Sequence, residues 1–419
     1  MAGMRPEDVY ELTGVADPRI SPDGKRVAYA VWSIDKDSNE YRGAVWVAPL
    51  DGSEDPRQFT SGERRDGTPR WSPDGKWLSF VSNRGEEKAS ANLYVIPSAG
   101  GEARRLTDLK ESVEGAEWSP DSSRLVITAR DRDEAYDEDD DRKRTPRRFR
   151  RVFHKLDSVG WTGDRRKHVW IVDLDSTTRM LTNGDFEDDT PAWTPDGKRV
   201  VFAALRTPDW DVELLSRLYS VDADGGEPEQ LTGDDAACGW PAFSDDGRIA
   251  YEWTVEDGTD PHHTQIAVAA KPGAAAKVLT ASLDRQCGPY PPIRGPVWNG
   301  NRIVFPVEDG GNTHLYSVAA DGSSAPQLLV GGERSISGYD VNGDTIAFVS
   351  SAHTTLRELF VGERQVTSLT GDRAYCDADR FTAISKDGTE VDAWIMRPPG
   401  FELGKKYPTL LSIHGGPFT

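Results

Sequence analysis

Short runs of alternating apolar and polar residues recur along the first 370 positions, and each run follows a similar polar break. "RISPDGKRVAYAV" begins at Arg19, "RWSPDGKWLSFVS" at Arg70, "EWSPDSSRLVITA" at Glu117, "AWTPDGKRVVFAA" at Ala192 and "AFSDDGRIAYEW" at Ala242. Two degenerate copies follow, "VWNGNRIVFPV" from Val297 and "YDVNGDTIAFVS" from Tyr339. An aromatic or apolar residue ends one strand. In the Ser-Pro-Asp-Gly that follows, proline presets φ, aspartate bonds back to the backbone and glycine tolerates positive φ. The period-2 run after it predicts a strand with one buried face, as at Leu78 and Phe80 or Val200 and Phe202.

Each repeat carries two more strand signals. The third strand reads "NLYVIPSAGG", "HVWIVDLD", "RLYSVDADGG" or "HLYSVAADG", and a fourth ends in Leu-Thr, as in "RRLT", "RMLT", "EQLT", "KVLT" and "TSLT". Four short strands in about 50 residues make one propeller blade, and seven such units predict an all-β seven-bladed β-propeller whose radial closure protects its edges. The propeller is expected over residues 16–371, after an N-terminal segment of residues 1–15.

The spacing breaks once. About 25 extra residues separate the third and fourth turn motifs and include "DRDEAYDEDDDRKRTPRRFRR", Asp131 to Arg151, with eight acids mostly ahead of eight bases. This charged insertion, near 131–155, cannot bury enough apolar area to fold alone. It is expected to be a solvated, self-neutralising loop; the competing reading is a rim loop that gates access or meets a partner. "DSVGWTGDRRKHVW", Asp157 to Trp170, is placed after it as a segment projecting toward the cavity.

Charge and cysteine content narrow the partners. The net charge of −20 disfavours a phosphate backbone, so no nucleic-acid partner is expected, even for "RKRTPRRFRR". No run approaches the roughly 18 apolar residues of a membrane span, and the N-terminus lacks the apolar core of a signal peptide. Cys238, Cys287 and Cys376 form no C-x-x-C pair, which fits a reducing cytoplasm. No cofactor is expected. His262 and His263, in a Gly/Asp-rich loop, and the acidic run Asp137 to Asp141 are weak metal candidates without H-E-x-x-H or EF-hand spacing, so no metal is expected either. His168 and His314 open third strands and are read as structural.

After "TSLTGD" the blade pattern stops, and residues 372–419 read differently. "FTAISKDGTEVDAWIMRPPGF" predicts two strands around an Asp387-Gly388 turn. A fully apolar strand is expected from Thr409 to Ile413, suited to the interior of an α/β sheet. His414-Gly415-Gly416-Pro417 follows it. Such a glycine turn lets a backbone amide approach a developing oxyanion, as in the oxyanion loop of α/β-hydrolases.

The order of propeller, "DGTEVDAWIMRPPGF" and "KYPTLLSIHGGP" resembles the prolyl oligopeptidase family of serine peptidases, in particular its bacterial acylaminoacyl-peptidase and dipeptidyl-aminopeptidase-like branch. The resemblance runs over essentially the whole chain, but its specific part is the last 40 residues, because binding propellers of the TolB type share the Ser-Pro-Asp-Gly repeats. It implies that residues 372–419 begin an α/β-hydrolase peptidase domain, incomplete here, on which the N-terminal "PEDVYEL" packs as a short helix. It implies that the propeller filters short peptides, N-acylated or aminopeptidase-type, toward a Ser-Asp-His triad acting through an acyl-enzyme. The Gly416 N–H is then the oxyanion donor, with His414, Gly415 and Pro417 shaping its loop, and His414 is not the catalytic base. No G-x-S-x-G occurs in the 419 residues, so nucleophile, acid and base are absent and the chain alone is expected to be inactive, needing the missing hydrolase portion as a partner. Relatives often assemble, which leaves a homo-oligomer open. The alternative is a TolB-like propeller that binds a protein without catalysis.

Overall fold

The computed structural model describes residues 5–85, 89–138, 140, 142–157, 159–259, 261–371 and 375–413. Seven four-stranded antiparallel units follow one another, spanning residues 13–58, 66–105, 113–180, 187–230, 236–278, 297–330 and 335–365. These are blades 1 to 7, and strand order within each follows the chain. Blades 6 and 7 are also joined by one parallel pair, Thr313 with Ser335.

The repeated motif folds as its chemistry requires. Ser21 Oγ donates to Asp23 Oδ1 at 2.6 Å and accepts from the Arg26 amide at 2.9 Å, while the Gly24 amide donates to Ser21 O with φ at +67°. The same bonds recur at Ser72 and Ser119, and with threonine at Thr194. The degenerate copies shorten to two-residue turns at Gly300-Asn301 and Gly343-Asp344.

In five blades the aromatic residue ahead of the turn bonds to an adjacent blade. Trp71 Nε1 donates to Arg19 O at 3.0 Å, Trp118 to Arg70 O at 3.0 Å, Trp193 to Glu117 O at 3.2 Å and Trp298 to Ala242 O at 2.9 Å. In blade 7 Tyr339 Oη donates instead to Gly295 O at 2.8 Å. The Leu-Thr repeat also has a mechanism. The outer strands are only two to four residues long, as at Arg57–Gln58 and Gln327–Val330, and leave third-strand amides unpaired. The threonine hydroxyl takes one of them, as Thr107 does for Leu93, Thr182 for Val169 and Thr280 for Ile266.

Among the described residues no strand is exchanged between the first and last blades. Their seam is a shared apolar cluster including Val15, Tyr29, Ala347, Val349 and Leu359, and a hydrogen bond from the Ile20 amide to Asp340 Oδ2 at 2.7 Å. Innermost strands bulge just ahead of a proline. Asp17, Thr68, Thr190 and Trp240 have φ near +50° there, at register shifts in blades 1, 2, 4 and 5.

No described residue of the charged insertion is buried, as expected of a solvated loop, and Arg142 pairs with Asp140 inside it at 3.0 Å, but the insertion is also tied to its neighbours. Its first residues complete the blade strand Arg124–Arg132, and Lys155–Leu156 pairs with Gly160–Trp161. Arg147 binds Asp164 at 2.8 Å, Arg151 binds Asp185 at 2.9 Å and Asp211 at 3.0 Å, and the Val152 amide donates to Asp211 at 2.6 Å. Its charges find opposite charges in blades 3 and 4, which composition does not display. Gly160–Trp161 supply the second strand of that hairpin, and Arg165–Asp173 is the third strand of blade 3. Thr409 to Ile413 is not a strand; Leu410 is 97% and Ile413 79% exposed, because no strand among the described residues pairs with it.

No α/β-hydrolase sheet occurs among the described residues. The tail does form the hairpin Ala378–Ile384 with Glu390–Met396, turned at Asp387-Gly388. It rests on the tip of a blade 6 hairpin, where a Cβ on Gly311 would lie 2.6 Å from the Trp394 ring. The N-terminal Pro6–Glu11 is a 3-10 helix against the long hairpin of Arg26–Asp35 and Glu40–Pro49 in blade 1, with Tyr10 Oη donating to Asn39. The propeller's first strand starts at Thr13, ahead of the expected boundary at 16.

Candidate functional site: the axial cavity

The innermost strands direct charged side chains at the axis. Arg19 binds Asp17 at 2.6 Å, and Arg70 spans from Asp17 at 2.7 Å to Glu117 at 2.9 Å, linking blades 1, 2 and 3. Arg294, from the connection between blades 5 and 6, binds Asp340 of blade 7 at 2.5 Å and donates to Tyr339 O. Burial raises the Asp17 carboxyl, but Arg19 and Arg70 outweigh it and hold it below its ordinary value. Burial, together with Arg294 and Arg70, pushes the Arg19 guanidinium down to about 10.

Arg294 also lines a cavity of about 360 Å³, with Glu252, Gln286, Gly288, Tyr290 and Ile293. Glu252 comes from Ile249–Val255, the second strand of blade 5, opposite Gly239. Gln286 pins the wall: it accepts from the Thr264 amide at 2.7 Å and donates to Gly288 O at 2.8 Å. Gly288 is required there, since a Cβ would meet Thr264 Cγ2 at 3.0 Å and Glu252 Oε2 at 3.3 Å. Burial alone pushes the Glu252 carboxyl up to about 8, because no cation or donor among the described residues faces it.

Other candidates take structural places. His168 is buried with Nδ1 at 3.1 Å from Asp188, and His314 Nε2 donates to Gly332 O. His262 contacts Asp257 and Thr259, and His263 faces Asp284. No metal-type cluster of three ligands occurs among the described residues, Asp139 and Asp141 lying outside them. The three cysteines are free. His414, Gly415, Gly416 and Pro417 lie outside the described residues.

Glu252 escaped the reading of the sequence, although its signal was present. Counted from the residue paired with the aromatic, Glu252 occupies the position of Ala30, Val81 and Ala203 in other blades. Thr128 and Ser351 hold it in blades 3 and 7, so Glu252 is the one charged residue among these positions. Arg294 gave no such signal, because it lies in an irregular connection.

A family profile for the "Acylaminoacyl-peptidase, N-terminal beta-propeller domain" matches residues 135–273, and one for the "TolB beta propeller domain" matches residues 3–144. "Uncharacterized peptidase YuxL" of Bacillus subtilis is 28% identical over 98% of this chain and 66% of its own length. "Dipeptidyl-peptidase 5" of Porphyromonas gingivalis is 25% identical over 99% of this chain and 63% of its own. The propeller is homologous to the N-terminal region of acylaminoacyl peptidases and dipeptidyl-peptidase 5. Among solved structures, an acylaminoacyl peptidase of Pyrococcus horikoshii superposes with a TM-score of 0.74 at 19% identity, over 95% of this chain and 59% of that one. The propeller domain of the Trilobed protease of Pyrococcus furiosus, described as having an open velcro topology, gives 0.61 at 18% identity, over 85% of this chain and 98% of that one. The second likeness accords with a ring closed without strand exchange. The chain spans about two thirds of the length of the curated relatives it matches.

Proposed function

We propose that this chain is the substrate-gating propeller, with the opening strands of an α/β-hydrolase domain, of a serine peptidase acting on short peptides. The observation that carries the reading is the axial cavity, bounded by a carboxyl and a guanidinium, in a propeller homologous to peptidase propellers. A peptide offers an amine, amides and carbonyls that match such a lining. Chemistry belongs to a Ser-Asp-His triad in a hydrolase portion outside these 419 residues, which contain no G-x-S-x-G. In this reading Gly416 donates its amide to the oxyanion, His414, Gly415 and Pro417 shape that turn, and the exposed apolar run Leu410 to Ile413 joins the hydrolase sheet. The setting is cytoplasmic, and the isolated chain is inactive.

A fluorophosphonate probe on the natural polypeptide, as its cell makes it, tests the reading. Covalent labelling of a species containing this chain, and hydrolysis of short peptides, are expected. An unlabelled, inactive product of the gene overturns it. The match of residues 3–144 to TolB propellers favours the second reading, a protein-binding propeller, which a stable partner and no labelling would support.

A further inference from the structure

We infer that the basic insertion of blade 3 and the short helix of blade 4 form a docking surface for acidic peptide segments with interspersed apolar residues, a second contact for substrates outside the axial cavity. This rests on the peptidase reading and names a class of its substrates. Ten large apolar side chains are exposed among the described residues ahead of the tail, and five of them, Phe149, Val152, Leu156, Val212 and Leu214, belong to these two segments. The Val152 amide donates to Asp211, the residue before Val212, so the two segments make one surface. Exposed apolar groups clustered in this way mark interaction sites.

The patch is built rather than loose. The Phe149 ring, though exposed, packs edge-on against His154 at 4.6 Å and against Trp161 at 5.3 Å. Arg147 lies over both Trp161 and Tyr136 and ties this shelf to Asp164. Leu214 has φ at +53°, a left-handed conformation natural to glycine or asparagine at a helix end, and it remains 58% exposed. A leucine strained there without burial is not explained by packing; such strain is found where a surface has work to do.

Charge selects the partner. Residues 142–155 hold eight of the chain's 50 bases and none of its 70 acids, a local reversal of sign on a chain of net charge −20. Lys143, Arg148, Arg150 and Lys155 are exposed and have no ion pair among the described residues. Strand direction alternates within each blade, so connections between second and third strands share a face with the ends of fourth strands. The insertion and the helix are two such connections, and the tail leaves from the fourth strand of blade 7 at Gln365. In the peptidase reading this is the face over which substrate approaches the hydrolase portion. A nucleic acid is a poorer occupant, because Val152, Leu156, Val212 and Leu214 offer its bases no stacking face. A flat lipid surface would have to pass the tail hairpin, which rests on the same face.

The test is fluorescence anisotropy of the labelled peptide Glu-Asp-Phe-Glu-Leu-Glu-Asp, and of its counterpart with Gln and Asn in place of the acids, titrated with the 419-residue chain. The acidic peptide is expected to bind at least about tenfold tighter than the neutral one, and to lose affinity several-fold between about 50 and 300 mM salt. Arg148→Glu together with Arg150→Glu should abolish the preference, and Phe149→Ser should weaken both peptides alike. Leu214→Gly should weaken binding while raising Tm, because it relieves the strain; a structural role would lower Tm. Equal binding of the two peptides, no binding, an unchanged preference in the arginine variant, or a lower Tm in Leu214→Gly overturns the docking surface. So does tighter binding of a single-stranded oligonucleotide or of phosphatidylserine vesicles. A dimer in sedimentation that the arginine variant dissolves would assign the surface to a second copy of this chain, and overturns it likewise. None of these results touches labelling of the serine nucleophile, so failure here and failure of the peptidase reading are distinguishable.

Discussion

Trp71 of blade 2 reaches back to blade 1 and donates its indole N–H to the main-chain carbonyl of Arg19 at 3.0 Å. The bond crosses a blade interface in which Trp71 packs with Ala28, Val47, Leu78 and Phe80. Trp71→Phe keeps an aromatic ring but leaves that carbonyl without its donor. A loss of about 1–3 kcal/mol is expected in urea unfolding. Trp77→Phe removes an indole with no hydrogen bond among the described residues and should cost clearly less; equal costs would refute the stapling role.

Asp340 holds the seam. It accepts from the Ile20 amide and binds Arg294. Asp340→Ala should destabilise by about 1–3 kcal/mol, since it removes the acceptor of the buried Ile20 amide and one partner of the half-buried Arg294 guanidinium. Hydrogen exchange should then rise first in residues 13–20 and 335–342. Uniform acceleration across all blades would show that the seam has no special part.

Glu252 makes stability depend on pH in a definite direction. Its folded-state carboxyl titrates near 8, against 4.5 for an ordinary glutamate. The folded chain therefore holds a proton that the unfolded chain releases between those values. This contribution is fully present below pH 4.5 and is lost as pH rises toward 8. Glu252→Gln should leave Tm nearly unchanged near pH 4.5 and raise stability at pH 8 by roughly 4 kcal/mol. A constant difference across that window would show that Glu252 is not held neutral.

Arg151 docks the insertion on blade 4 through Asp185, Asp211 and the Pro208 carbonyl. Arg151→Ala should make residues 142–157 cleave several times faster in limited proteolysis. The global unfolding midpoint should shift by less than about 1 kcal/mol, because the blade cores are untouched. Unchanged cleavage would mean that the remaining contacts hold the segment.

Legibility followed the range of the interactions. The turn at Ser21 to Arg26 closes within six residues, so its sequence states its structure, and seven such units imply a ring. Threonine after leucine could be seen as punctuation, but not as the partner of the Leu93 amide 14 residues away. The docking of the insertion was not legible, because the partners of Arg151 lie 34 and 60 residues on. Arg294 over the axis depends on blades 5 to 7 being assembled first. Glu252 lay between these cases, visible only after the blades are aligned on their aromatic residues.

The seam between blades 1 and 7 has a mechanical meaning. In a ring fastened by an interleaved strand, a pull on the two ends shears a ladder of backbone bonds. Here the first and last blades meet through side chains and apolar contact. Tension applied at Thr13 and Gln365 should peel whole blades away one after another, as a row of steps in a force–extension trace.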